Sequence, residues 1–158
     1  MSYQPKVYKK AGGDELVVAS GGSIDIESGG ALKIGGVQVS ASAAEINETI
    51  LSLDIADGSA DADYFLVSPH AGAISKIYSV IDGPVGTADI TITASIGATP
   101  VTGGVVTIAS AGSAAGDVDV ATPSAANVVT AGQAIKLAVA GGGSGGSPRI
   151  HVAVVISR

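Results

Sequence analysis

The sequence predicts an all-β protein whose C-terminal part is an eight-strand β-sandwich of the jelly-roll type. Residues 64–158 contain eight short runs rich in Val, Ile, Thr and Ala, separated by turn residues at fairly even spacing. The run DITITASI from Asp89 to Ile96 alternates strictly, which gives a strand one apolar face and one face of Thr and Ser. The 23 glycines supply the tight turns that so many short strands require. A jelly roll is the commonest eight-strand sandwich with these features.

The first 39 residues are predicted to form an arm and a short β-repeat. Ser-Gly-Gly occurs at Ser20 and again at Ser28, and Gly-Gly follows at Gly35. Short alternating stretches lie between these turns, at residues 16–18, 24–26, 32–34 and 37–39. Strands this short bury too little to be stable alone. They must stack either on identical chains or on the body of their own chain, and the sequence leaves both possibilities open.

Residues 40–63 are predicted to form a short helix and an acidic linker. Ser42 and Glu45 make a capping box for a helix over residues 40–53, and Ile46, Ile50 and Leu53 form its apolar stripe. Aspartates dominate the segment that follows, residues 54–63. The expected organisation therefore has three parts, 1–39, 40–63 and 64–158. In the last part, strands are predicted at 64–67, 74–81, 88–96, 101–108, 118–121, 127–130, 134–140 and 149–157.

Composition and charge exclude several classes of function. The chain has one Phe, four Tyr and no Trp, so it offers few of the aromatic walls and stacking platforms that small-molecule and nucleic-acid sites use. Its net charge of −6 repels phosphate backbones, although the first ten residues carry three lysines and no acid. No cysteine is present, and no apolar run is long enough for a signal peptide or a membrane span.

Candidate chemical sites are few and unspecific. His70 and His151 lie in no zinc-binding pattern, and surface or interface positions are expected for both. On the last predicted strand His151 is expected to face opposite to Ile150 and Val152. The aspartates of the acidic linker could ligate a hard cation, but their spacing does not match a calcium loop, which favours a solvated linker. The glycine-rich segment 141–147 is expected to be a flexible, exposed hairpin tip, since no helix follows it to form a phosphate cradle. The sequence therefore predicts neither an enzyme nor a cofactor-binding protein.

The chain resembles two groups of tailed-phage virion proteins. The stretch YKKAGGDELVVASGGSIDIESGG from Tyr8, with KIGGV from Lys33 and SAAEIN from Ser42, resembles the N-terminal part of head-fibre and tail-fibre proteins. The runs IYSVIDG from Ile77 and VTGGVVTI from Val101 resemble the body of phage head decoration, or cement, proteins. So do SAAGD from Ser113 and ATPSAAN from Ala121. Together these motifs cover nearly the whole chain.

The resemblance implies a homotrimer on the outer surface of a phage capsid, where it would clamp neighbouring copies of the major capsid protein without catalysis, cofactor, nucleic acid or membrane. We expect residues 1–39 to attach to the capsid through a basic arm and strand edges, and residues 64–158 to form an outer domain. The alternative is a fibre or adhesive receptor-binding subunit. The candidate partner-binding residues are Lys6, Lys9, Lys10, Leu16, Val18, Ile24 and Ile26.

Overall fold

The computed structural model describes residues 7–9, 12, 15–26, 30–39 and 47–158. The chain divides into two compact units, Met1–Ala41 and Ser42–Arg158. No helix occurs among the described residues, and every sheet pairing there is antiparallel. The protein is therefore all-β, as the sequence predicts.

The N-terminal unit contains two small antiparallel pairs. Strand β1 (Val7–Lys9) pairs with β2 (Leu16–Val18), and β3 (Lys33–Ile34) forms a hairpin with β4 (Val37–Gln38). Gly35 and Gly36 form the hairpin turn with φ values of +59° and +83°, a combination that side-chain-bearing residues rarely adopt. The strand predicted at 24–26 is wrong, because these residues lie outside any strand. An alternating sequence does not by itself provide the hydrogen-bonded neighbour that makes a strand.

The second unit consists of two antiparallel sheets. Its strands are β5 (Glu48–Ile55), β6 (Ala62–Val67), β7 (Gly72–Ile81), β8 (Ile90–Ile96), β9 (Thr99–Ile108), β10 (Val118–Ala121), β11 (Val128–Val129), β12 (Ala134–Gly141) and β13 (Ile150–Ser157). Sheet I has the order β5-β13-β7-β10, with β11 also paired to β7, and sheet II has the order β6-β12-β8-β9. All eight strands predicted in residues 64–158 are confirmed, with ends shifted by two residues at most.

The pairing within the two sheets is nested. When the two-residue β11 is set aside, the first strand of the unit pairs with the last, β5 with β13, and the second pairs with the next to last, β6 with β12. The same rule then joins β7 to β10 and β8 to β9. Consecutive strands such as β5, β6, β7 and β8 alternate between the two sheets. The chain thus behaves as one long hairpin whose two arms are folded together into a sandwich-like body.

The two sheets enclose one aliphatic core. Along β7, Ile74, Ile77, Ser79 and Ile81 are buried, whereas Lys76, Tyr78 and Val80 are more exposed. Strand β13 alternates in the same way from Ile150 to Val154, and a register shift at Val155 then ends the alternation. Burial of each such side chain contributes about 1.5–3 kcal/mol. The largest fully buried side chains come from both sheets: Ile55, Ile74, Ile77, Ile81, Ile90, Ile92, Val106, Ile108, Ile135, Leu137, Ile150 and Ile156.

The predicted helix over 40–53 is wrong in the part that the structure describes. Residues 40–46 lie outside the described residues, but Glu48–Ile55 is strand β5, paired over its whole length with β13. The sequence from Thr49 to Ile55 also alternates, and the odd-numbered side chains in it are more buried than those between them. A short apolar run can match both the helical period of about 3.6 residues and the strand period of two. The pairing of β5 with β13, about a hundred residues later in the chain, decides for the strand. Strand β6 likewise begins inside the expected acidic linker.

The glycine-rich segment 141–147 is not a free hairpin tip. It crosses from sheet II to sheet I and is hydrogen bonded to other loops: Thr87 N donates to Ser144 O over 3.1 Å, and Gly142 N donates to Asp89 O over 3.0 Å. A Cβ atom on Gly142 would lie 2.8 Å from Ser59 Cα, and one on Gly143 would lie within 2.5 Å of Thr87 Oγ1. Glycine is required here for close packing rather than for flexibility.

Candidate functional site

The candidate partner-binding residues of the N-terminal unit carry uncovered apolar surface. Leu16 and Ile24 are each 57% exposed, and Val18 and Ile26 are also exposed. Leu16 and Val18 lie two apart on β2, so they share one face of that strand, in register with Lys9 and Val7 of β1. Lys9 lies in β1, whereas Lys6 and Lys10 fall outside the described residues. Four of the seven predicted residues are thus exposed apolar side chains in the structure.

This surface has no core of its own beneath it. None of the N-terminal residues whose burial is described is buried, and Leu32, Ile34 and Val37 are exposed as well. Covering each half-exposed aliphatic side chain with a partner would contribute about 1 kcal/mol. The described part of the unit therefore has the apolar surface needed for an interface and lacks the burial needed to be stable alone.

The aspartates of the expected linker hold local structure and do not converge on one site. Asp57 Oδ1 accepts hydrogen bonds from Ser59 N (2.9 Å) and Ser59 Oγ (2.6 Å), and these bonds lower the pKa of the Asp57 carboxyl. Asp61 Oδ1 accepts a hydrogen bond from Gly141 N over 3.1 Å, and Asp63 pairs with Lys136 over 3.4 Å. Within the described residues, no three acidic or histidine side chains cluster closely enough to hold a metal ion.

One polar cluster joins residues that are far apart in the sequence. On the outer side of sheet I, Arg149 Nη1 donates a hydrogen bond to Asp54 Oδ2 over 2.6 Å, and His151 Nδ1 lies 3.4 Å from Asp54 Oδ1. Sequence reasoning placed His151 correctly on the face opposite to Ile150 and Val152, but it missed Asp54 as its neighbour. The alternation of residues 49–55 carried the signal, but the sequence analysis assigned residues up to 53 to a helix and Asp54 to the acidic linker. An exposed ion cluster of this kind contributes about 1 kcal/mol or less.

A pair of aspartates lies at the edge of sheet I. Asp117 and Asp119, with Ser113, line a depression of about 190 Å³ beside β10. Burial raises the pKa of Asp119, and the nearby Asp117 carboxylate raises it further. Across the strands, Asp119 is paired in register with Ser79, whose buried Oγ has no hydrogen-bond partner among the described residues. The partly buried Asp119 carboxylate and the unpartnered Ser79 hydroxyl each lower the stability of the fold at neutral pH, because each is a polar group removed from water without full compensation.

His70 is exposed after Pro69, as expected from the sequence, and its carbonyl accepts a hydrogen bond from Ser68 Oγ over 2.6 Å. The described residues contain no helical segment of the length and apolarity that a membrane crossing needs.

No protein-family model matches the chain, and a search of curated proteins finds no significant similarity. The resemblance to phage virion proteins therefore stays a prediction.

Proposed function

We propose that the chain is a non-enzymatic structural protein of a phage virion, which decorates and stabilises the outer surface of the capsid as a homotrimer. The observation that carries the proposal is the contrast between its two units. Residues 47–158 enclose their own aliphatic core, whereas the described residues of Met1–Ala41 expose apolar side chains on strands without burying any. A self-sufficient domain joined to a segment that needs other chains fits an attached structural subunit.

The body is proposed to be a jelly roll. Support comes from the nested pairing of β5 with β13, β6 with β12, β7 with β10 and β8 with β9, together with the division of these pairs between two sheets. Eight strands arranged in this way are the architecture of many viral capsid and lectin domains.

The N-terminal unit is proposed to attach the protein to the major capsid protein. Leu16, Val18, Ile24 and Ile26 supply apolar contact area, and strand edges of β1 and β2 offer backbone groups for pairing with another chain. The lysines Lys6, Lys9 and Lys10 would favour an acidic capsid surface. In a trimer three such segments bind together, so individually weak contacts add up to stable attachment.

Co-sedimentation with undecorated capsids tests the attachment. The variant Leu16→Asp/Ile24→Asp should lose binding, because two charges replace apolar side chains that the capsid would cover. The matched control, Val67→Asp/Val105→Asp, adds the same charge at exposed positions of sheet II and should bind as the wild type does. If the Leu16→Asp/Ile24→Asp variant binds capsids as strongly as the wild type and the control do, residues 1–39 are not the attachment surface.

Electron microscopy of virions separates the proposal from its alternative, a fibre or adhesive receptor-binding subunit. A decoration protein forms many copies at equivalent positions over the capsid surface. A fibre subunit would be found in few copies at a vertex or on the tail. Sedimentation equilibrium tests the trimer separately, since three copies of the 15.2 kDa chain are expected to sediment together at micromolar concentration.

A further inference from the structure

One side of the sandwich-like body is open. The edge strands there are β5 of sheet I and β6 of sheet II, and each pairs with one neighbour only among the described residues. Four of their inward side chains are only partly buried against the core: Leu51, Leu53, Tyr64 and Leu66. An edge strand also presents unpaired N–H and C=O groups, with which a further strand can pair. The open side therefore offers both backbone groups and apolar surface to one more strand.

The opposite side of the body, where β9 and β10 contact each other, is closed. Thr102 N donates a hydrogen bond to Ala125 O, and Ser124 N donates to Thr102 O, each over 2.9 Å, so the chain after β10 covers part of the edge of β9. Pro100 lies in β9, whose register with β8 shifts, and β10 has only four residues. Such features keep other strands from adding to an edge. By contrast, β5 and β6 contain no Pro, Gly or Lys, and no bulge interrupts their pairing.

The hydrogen bonding of β5 shows which of its backbone groups face the open side. Arg158 N donates to Asn47 O over 3.1 Å, and the register continues to Leu51 opposite Val154, an even number of residues further along each strand. Backbone groups alternate in direction along an antiparallel strand, so the odd-numbered residues of β5 bond to β13. The N–H and C=O groups of its even-numbered residues point to the open edge instead: Glu48, Ile50, Ser52 and Asp54.

The open side is also acidic. Residues 47–67, which include both edge strands, contain five acidic residues and no basic residue. Salt bridges to Arg149 and Lys136 compensate two of the five, Asp54 and Asp63. The other three have no basic partner among the described residues: Glu48, Asp57 and Asp61. Opposite charges on neighbouring strands attract and like charges repel, so this edge favours a basic strand over an acidic one.

We propose that the open edge of β5 binds an extended, basic segment of another polypeptide chain, which pairs with β5 as a further strand of sheet I. Successive side chains of a strand point to opposite faces. Residues of the segment beside Leu51 and Leu53 are therefore apolar and cover the margin of the core, whereas those beside Glu48 and Asp54 are basic. The inference goes beyond the proposed function and does not depend on attachment through residues 1–39.

The probe that tests the edge is a fluorescently labelled peptide of alternating lysine and valine, as long as β5. Fluorescence anisotropy should show saturable binding to the full chain. A control peptide with a methyl group on every backbone nitrogen keeps the side chains but cannot donate the hydrogen bonds, and should bind at least about tenfold more weakly. A peptide of alternating glutamate and valine should be weaker by a similar factor, because like charges repel. No binding of the lysine peptide, or equal binding of either control, overturns the inference.

Two proline variants locate the binding edge. Ser52→Pro obstructs the open edge but spares the bonds to β13, because the Ser52 N–H points away from that strand, and it should lower the affinity for the lysine peptide at least about tenfold. Thr107→Pro makes the same kind of change at an exposed position of β9 and should bind as the wild type does. Circular dichroism melting checks that each variant is folded. Unchanged binding by folded Ser52→Pro, or lost binding by folded Thr107→Pro, overturns the assignment to β5.

Hydrogen exchange followed by NMR reads the edge directly in the wild-type chain. The Leu51 and Leu53 amides are protected by β13, whereas those of Ile50 and Ser52 should exchange fast in the free protein. Saturating lysine peptide should slow exchange at Ile50 and Ser52 at least about tenfold and leave the leucines unchanged. Unaltered exchange at Ile50 and Ser52 overturns the inference. Protection of these two amides before peptide is added also overturns it, because the edge is then covered by this chain or by a second copy.

These outcomes are distinct from those that test the proposed function. Peptide binding and hydrogen exchange are measured on the protein alone and concern β5. Capsid co-sedimentation of the Leu16→Asp/Ile24→Asp variant concerns residues 1–39. Failure of the strand pairing therefore leaves the proposed attachment standing, and failure of the attachment leaves the strand pairing standing.

Discussion

Replacing Gly142 by alanine tests whether the glycine-rich segment 141–147 is packed or free. Gly142 has a φ of +81°, which costs a side-chain-bearing residue about 1 kcal/mol. Its new Cβ would also lie 2.8 Å from Ser59 Cα and 3.1 Å from Ser59 Cβ, an overlap worth about 2 kcal/mol. Gly142→Ala should therefore lower the free energy of unfolding by about 3 kcal/mol. Gly145 is the matched control: its φ is +97°, but nothing lies within 4 Å of its added Cβ.

The assay is thermal unfolding followed by circular dichroism. For a domain of this size, 1 kcal/mol corresponds to a Tm shift of roughly 4 °C, so Gly142→Ala should lose about 12 °C and Gly145→Ala about 4 °C. A flexible segment gives a different result, because both alanines would then be neutral or slightly stabilising by restricting the unfolded chain. Equal Tm values for the two variants would refute the packed arrangement.

Three further predictions concern the interior of the body. Ile77→Ala should cost about 3–4 kcal/mol in urea unfolding, since Ile77 is fully buried in the core, and a loss below about 1 kcal/mol would contradict that position. Ser79→Ala should raise stability by about 1 kcal/mol because it removes an unpartnered buried hydroxyl, and a marked loss would mean that Ser79 Oγ is bonded. Burial and Asp117 raise the pKa of Asp119 above 3.8, so the charged form destabilises the fold as pH rises through the folded-state pKa. Asp119→Asn should stabilise at pH 7 but not below pH 3.8, and a pH-independent effect would refute this origin.

The strands of the body were predictable because their signal is local. In β8 the apolar residues Ile90, Ile92 and Ala94 alternate with threonines, and the buried face is the one that the alternation indicates. The same holds for β13, where His151 was expected to face away from Ile150 and Val152 and does so. A period of two along six to ten residues depends only on the order of the side chains.

The failures concern segments whose conformation depends on a distant partner. Residues 48–53 fit a helical stripe as well as a strand, and the register with residues 152–157 of β13 decides for the strand. The same pairing brings Asp54 to His151, so the error in β5 also hid the polar cluster. Residues 24–26 alternate like a strand but have no strand partner in the described chain.

By itself the sequence determined the all-β class, the aliphatic core and the positions of the eight predicted strands, because periodicity, turn residues and side-chain type act over a few neighbouring residues. Only the tertiary structure decided that β5 joins sheet I, that the loop at Gly142 is packed against Ser59, and that Asp54 lies beside Arg149 and His151. Each of these depends on which strands become neighbours. That choice is set by contacts between residues far apart in the chain, which no local pattern specifies.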